Sequence, residues 1–288
     1  MDNISIVIQG PIVHQRELEN LHCLVDRCHE LFDRAEIIIS TWSHCHFELS
    51  HLNARLVYSD DPGILSHKLR SKHQFQPVNL NTKRMLVSSL TGVKAATGTF
   101  VLKLRADINF GDESALDIKI KHACVAMTTS SVKFALLDRY TRSPEKSGLL
   151  YHGSDILYFG TKNDIEVLLS QSLQFLAAEE AAGKYYLCPE QYLWLPYFTQ
   201  GDSVLYNSAI QFQLRLFLKW QSILSQQIII LDSDLLDIKF LKKETGSNFV
   251  EDCISVRNEN LRYDIVKKTI IYLFFHLKLI LKKFLKNV

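Results

Sequence analysis

No stretch of this chain stays apolar for the roughly 20 residues that a bilayer-spanning helix needs. The sequence therefore reads as a protein that does not cross a membrane. No G-x-G-x-x-G follows the first strand-like run, which disfavours a dinucleotide fold. No G-x-x-x-x-G-K-[ST] occurs either, which removes a P-loop NTPase. The C-x2-4-C spacing of a zinc knuckle is missing. Cys23 and Cys28 in HCLVDRCH are five apart on a predicted helix and point to different faces. That cluster, with His44, Cys45 and His46, reads as helix packing and exposed polar side chains rather than structural zinc. The opening MDNISIVIQG has no basic leader or cleavage site. With six scattered cysteines, the expectation is of reduced thiols in a cytoplasmic protein.

A strong excess of one charge is missing as well, the net being +2. The charge is unevenly spread: residues 261–288 carry +6 and the remainder −4. A mildly acidic body argues against nucleic acid as a partner. What is present is ordinary for a globular α/β protein: 47% hydrophobic and 22% charged residues over 288 positions. No repeat, low-complexity run or linker divides the chain.

ISIVIQGPI (4–12) is a continuous β-branched run stopped by Gly10 and Pro11, as expected of a strand buried on both faces. Leu18, Leu21, Leu24, Val25, Cys28 and Leu31 predict a helix over 15–32. AEIIISTW (35–42) and ARLVYSDDPG (54–63) predict two further strands, followed by a polar loop. Asn81 reads as the N-cap of a helix whose apolar face holds Leu86, Leu90 and Val93, with Gly98 as its stop. A strand over 100–104 follows directly. This order predicts an open, mostly parallel sheet flanked by helices on both faces.

Ligands of such sheets bind outside the carboxyl ends of the strands. The strand ends nominate Gln9, Gly10 and Pro11; Ser40, Thr41 and Trp42; Asp60 and Asp61; and Arg105 and Asp107. In the second half, SVKFALLD (131–138) reads as a strand. HGSDILYFG (152–160) sets His152, Ser154 and Asp155 ahead of another. Residues 164–182 and 208–226 look helical, and CPEQYLWLPYF begins a helix with Pro189 first and Glu190 in its opening turn. In the tail, Val266, Ile270, Leu273, Leu277, Leu281 and Phe284 share one helical face, with lysines largely opposite. That pattern predicts a basic amphipathic helix lying in a membrane interface. The expected division is a main domain over 1–245 and this helix over 261–288.

The apolar run VLKLRAD ends in opposite charges. A carboxylate at that edge suits Mg2+ or Mn2+ bound to a diphosphate, which needs one or two protein carboxylates and takes phosphate and water for the rest. Arg105 adds a fixed cation for phosphate. The phrases ISIVIQGPI, AEIIISTW, DDPG, LKLRAD, TRSP, HGSDILYFG and PEQYLW occur in the order found in the WavE family of lipopolysaccharide synthesis proteins. The chain resembles that family from about residue 4 to 200, with an echo at LLDIKF (235–240). It departs at Ala106, where the family pattern has threonine, and at Gly153, where it has proline or serine.

The resemblance implies a GT-A-like glycosyltransferase that moves a sugar from a nucleotide-sugar donor to a lipopolysaccharide-core or other surface-polysaccharide acceptor. Such an enzyme would be cytoplasmic and peripheral to the inner membrane, touching its anionic surface through the basic tail. Asp107 is then the metal residue. Arg84 and Arg105 are phosphate residues; Gln9, Gly10, Pro11 and Trp42 line the nucleotide pocket; Asp60 and Asp61 hold ribose or base. Glu190 is favoured as the base that activates the acceptor hydroxyl, with Asp155 beside His152 as its competitor. Two other readings stay open. One is a sugar nucleotidyltransferase, which would normally carry a lysine after the first strand, where QGPIVHQ has none. The other is a non-catalytic, membrane-associated scaffold of polysaccharide assembly.

Overall fold

ISIVIQ and EIIISTW are buried at nearly every position because both faces of their strands are covered. The computed structural model describes residues 3–70, 75–144, 149–183, 187–199 and 214–241. The chain runs through β1 (Ile4–Gln9), α1 (Gln15–Leu31), β2 (Glu36–Trp42), β3 (Arg55–Ser59), β4 (Leu65–Arg70) and β5 (Phe75–Leu80). It continues with α2 (Thr82–Ala95), β6 (Phe100–Arg105), β7 (Ile108–Phe110), α3 (Leu116–Thr129), β8 (Phe134–Leu137) and β9 (Leu157–Thr161). The last described elements are α4 (Lys162–Ala181), α5 (Pro189–Phe198), α6 (Leu214–Gln226), β10 (Ile228–Leu231) and β11 (Ile238–Phe240). The expected helix over 261–288 lies outside the described residues, as does the end of the main domain.

A seven-stranded sheet in the order β10-β8-β9-β6-β1-β2-β3 forms the centre. Its strands run parallel except β9, which pairs antiparallel with both β6 and β8. Successive residues serve opposite cores. Val7, Ile38, Val101, Phe134 and Tyr158 pack under α2, α4, α5 and α6. Ile6, Ile8, Ile37, Ile39, Leu102, Leu104 and Phe159 pack under α1 and α3. Period-two alternation thus divides each apolar run between the two layers.

The chain leaves β1 toward β2 and β3, then returns through α2 to β6 on the other side of β1. That reversal opens a crevice between the carboxyl ends of β1 and β6, the usual place for a ligand in an open α/β sheet. The reversed strand β9 brings its amino end to the same edge. Asp155 therefore reaches the crevice from ahead of a strand, with His152 buried close behind it, whereas Gln9 and Arg105 reach it at strand ends.

The expected polar loop before α2 contains the antiparallel pair β4–β5. Its sequence, LSHKLR and FQPVNL, has neither strict alternation nor a short hairpin turn signal, so periodicity gave no strand there. A second small pair joins β7 to β11, which accounts for the LLDIKF phrase: Ile238–Phe240 zips onto the strand just beyond Asp107. Cys23 is exposed and Cys28 is buried, so the two thiols do face different ways.

Candidate functional site

The crevice is a cleft of about 400 Å³, inside the range of roughly 300–1,000 Å³ typical of small-molecule sites. Gln9, Gly10, Pro11, Trp42, Arg84, Arg105, Asp107, Asp155 and Glu190 all line it. Residues scattered over 180 positions of sequence thus meet at one sheet edge. His152 adjoins the cleft through Glu190, Nε2 lying 3.6 Å from Oε2. Asp61 stands behind Arg84, and Asp60 faces solvent, where it accepts a hydrogen bond from Ser43 at 3.0 Å.

The floor is a close crossing of two strand ends. The amide of Ala106 donates to the Gln9 carbonyl at 2.9 Å. Gly10 has a φ of 157°, and a Cβ there would sit 3.1 Å from that of Ala106. Where the resemblance led us to expect threonine, the methyl of Ala106 closes against Gly10. Asn20 on α1 fixes the turn from below, its amide donating to the carbonyls of Ala106 at 2.8 Å and Ile108 at 3.1 Å. Gly10→Ala is expected to destabilise the fold by about 1–3 kcal/mol through backbone strain and to spread the β1 and β6 tips. Thermal unfolding measures the first effect and ligand affinity the second. Gly153 has a similar steric reason: a Cβ there would meet Trp194 Nε1 at 2.8 Å.

The charges in the cleft are paired with one another. Arg105 grips Asp107 with its fork, Nε donating to Oδ1 at 2.9 Å and an η-nitrogen to Oδ2 at 2.5 Å. Its other η-nitrogen lies 3.8 Å from Asp155. The two carboxylates outweigh the cost of burial and hold the guanidinium protonated. Arg84 makes a comparable fork to Asp61, and the hydrogen bonds from Arg84 hold the Asp61 carboxyl below its ordinary range. Behind Arg105, Lys103 is completely buried and donates to the Asp155 carbonyl while lying over the Tyr158 ring. Burial draws the Lys103 ammonium down to about 7. The lysine anchors the loop that carries Asp155.

Glu190 and His152 form a largely buried titratable pair at the edge. Burial first, and then the Asp155 charge, push the Glu190 carboxyl up to about 8. Burial pulls the His152 imidazole down to about 4. A carbonyl can only accept, so the 2.9 Å contact between His152 Nδ1 and the Tyr140 carbonyl places the proton on Nδ1. Nε2 is then a bare acceptor turned toward Glu190. At neutral pH the pair is a neutral acid beside a neutral imidazole, not a salt bridge. The Tyr140 carbonyl, rather than Asp155, orients the ring.

Tyr140 lines the cleft with a φ of 66°, a backbone conformation that is costly for a non-glycine residue. It was missed from sequence although it follows β8, whose carboxyl end reaches the same edge. The strand-end rule that nominated Gln9 would also have nominated Tyr140. Thr82 and Met85 at the start of α2 also line the cleft without having been singled out. Lys103 had a signal too, a lone charge inside VLKLR, but alternation alone does not say that both faces of that strand are covered.

For a divalent cation, the relevant donors are Asp107 and Asp155. The Arg105 fork takes one lone pair on each Asp107 oxygen and leaves the outer pair on each available. Among the described residues, no group of three or more His, Cys, Asp or Glu is arranged to hold a metal ion. Asp107 and Asp155 are the carboxylates that would face Mg2+ or Mn2+, with phosphate and water completing the shell, the usual habit of these ions.

The fold and site define an α/β protein with a ligand cleft at the reversal point of a mostly parallel sheet and a raised-pKa carboxyl at its edge. The family model of WavE lipopolysaccharide synthesis matches residues 4–287, and the chain belongs to that family. Its membership places it in lipopolysaccharide synthesis. A comparison with curated proteins found no match. Among the described residues, no helix is long and apolar enough to cross a membrane.

Proposed function

We propose that the protein is a nucleotide-sugar-dependent glycosyltransferase of GT-A-like architecture acting on a lipopolysaccharide-core or related polysaccharide acceptor. One observation carries the reading: a fixed guanidinium and a carboxyl poised near neutral pH share one cleft at the sheet's reversal point. Glycosyl transfer has a use for both. The bond from the anomeric carbon to the diphosphate breaks, and negative charge grows on the leaving oxygen. Arg105, held in place by Asp107 and Asp155, offers preorganised positive charge for it. A divalent cation, when bound at Asp107, would supply further charge neutralisation to the leaving diphosphate.

The acceptor hydroxyl must lose its proton as its oxygen bonds to the anomeric carbon. Ionised Glu190 takes that proton. A base whose pKa lies near the working pH is both available and strong enough. His152, drawn down to about 4, is too weak a base for the task, and its role is to face the Glu190 carboxyl with an acceptor. Gln9, Gly10, Pro11 and Trp42 form the wall for the nucleotide; the indole is 4% exposed, so it presents only an edge. Tail residues 261–288 would keep the enzyme at an anionic membrane surface, near a lipid-linked acceptor.

The test is a thermal-shift panel of nucleoside diphosphates and nucleotide sugars, with and without Mn2+. The expected result is stabilisation by one nucleotide class, by several degrees at ligand well above Kd, larger with Mn2+. A flat response to every member of the panel would remove the glycosyltransferase reading and favour a scaffold.

A further inference from the structure

The helix starts around the cleft differ in how their backbone amides are satisfied. At α1 the Glu17 carboxylate accepts from the amides of Val13 at 2.7 Å and His14 at 3.2 Å. At α5 the first residue is Pro189, which has no amide, and the Gln191 side chain accepts from the Cys188 amide at 3.3 Å. At α2 no side chain among the described residues caps the start. Asn81 occupies the capping position, but its side-chain oxygen accepts from Arg84 at 3.4 Å. The first-turn amides of a 14-residue helix therefore lack a partner within the helix and carry its positive end.

A second observation at the same point is independent of the helix. Thr82 is completely buried, lines the cleft, and its hydroxyl has no hydrogen-bond partner among the described residues. A buried hydroxyl without a partner costs folding energy, and here no described protein group relieves that cost. The neighbouring cations are already matched. Lys83 binds Glu180 at 3.0 Å, and Arg84 binds Asp61. What the α2 start offers to the cleft is a hydroxyl and backbone donors, which together make an acceptor site for a phosphoryl group.

We infer that the uncapped start of α2, with the Thr82 hydroxyl, is the subsite that holds a phosphoryl group of a diphosphate ligand. This rests on the glycosyltransferase reading for the identity of the ligand as a nucleoside diphosphate, but not for its anionic chemistry. Arg84, nominated from sequence as a phosphate residue, then acts by positioning: its grip on Asp61 and Asn81 keeps the Asn81 side chain away from the amides. Phosphoryl oxygens accept from the first-turn amides and from Thr82 on one side of the cleft, while Arg105 faces them from the other.

The experiment measures binding of inorganic diphosphate, a panel of nucleoside diphosphates and the matching nucleosides by calorimetry. The proteins are wild type, Thr82→Val and Thr82→Ser. Valine keeps the shape and removes the hydroxyl, so the unliganded Thr82→Val protein should melt no lower than wild type. Its affinity for diphosphate-bearing ligands should fall by about tenfold or more, the scale of one hydrogen bond to a charged group. Nucleoside affinity should be unchanged, and serine should keep most of the diphosphate affinity. Equal diphosphate binding by Thr82→Val and wild type overturns the subsite. So does a wild type that binds neither inorganic diphosphate nor any nucleoside diphosphate. If wild type binds inorganic diphosphate in a Thr82-dependent way but no nucleoside diphosphate, the subsite stands and the glycosyltransferase reading fails.

Discussion

Glu190→Gln is expected to lower turnover by a factor on the order of 100 to 10,000, the usual contribution of a positioned general base. The amide matches the carboxyl in size and can still face His152 Nε2, so donor affinity should change little. In the wild type, activity should rise with pH along a limb whose midpoint lies near 8, because only the ionised carboxylate accepts the acceptor's proton. That limb should vanish in the residual activity of the variant.

Stability gives the control. The folded pKa of Glu190 lies above its ordinary value of 4.5, so the folded state holds an extra proton between 4.5 and about 8. Folding stability then falls as pH rises through that window. Glutamine does not titrate, so Glu190→Gln should melt progressively higher than wild type as pH climbs from 5 to 8. For a chain this size each kcal/mol moves Tm by about 2–4 °C. A variant that loses turnover while gaining heat stability at pH 8 has lost chemistry, not fold. If the variant keeps wild-type turnover, the base lies elsewhere.

Arg105→Ala is the second large effect. It removes the cation facing the leaving diphosphate, and kcat/KM should fall about 100- to 1,000-fold, the scale of losing one preorganised electrostatic donor. It also leaves Asp107 and Asp155 as unpaired carboxylates. A fully buried pair broken in this way costs about 3–5 kcal/mol. Here the side chains are 36% and 23% exposed, so water screens them and about 1–2 kcal/mol is expected. The double variant Arg105→Ala/Asp107→Ala should recover most of that stability and none of the activity. Arg105→Lys keeps the charge but cannot make the two-point grip, so it should fall between wild type and alanine in kcat/KM. Turnover and melting across wild type, Arg105→Ala, Asp107→Ala and the double variant separate charge at the leaving group from charge balance in the fold. Wild-type turnover in Arg105→Ala would remove it from the reaction.

How much was legible in the sequence depended on what each signal encodes. β1, β2, β6 and α1 fall within a residue or a few of expectation because buried strands and a one-sided helix write their burial into local hydrophobicity. The strand-end rule then delivered Gln9, Gly10, Arg105 and Asp107 to the cleft, since it requires only that the strands be parallel and adjacent. α3 left no clear pattern: Ile118 and Val125 are exposed while Leu116, Ile120 and Ala123 are buried, so its apolar stripe is blurred. Asp60 and Asp61 look equivalent along the chain, yet only Asp61 reaches Arg84.

The sequence by itself determined the layered α/β fold, the edge where a ligand meets it, and the chemical types gathered there. Those properties follow from local hydrophobic period and from the carboxylates, arginines and small residues at strand ends. Only the tertiary structure decided how the charges divide among partners. The reversed direction of β9 puts His152 and Asp155 at the working edge, and the burial of that edge separates Glu190 from His152 in acidity. Asn81 turned toward Arg84 leaves the α2 start without a side-chain cap, and the buried Thr82 hydroxyl has no partner among the described residues. Strand direction, desolvation and hydrogen-bond choice depend on neighbours far away in sequence, and no local pattern records them.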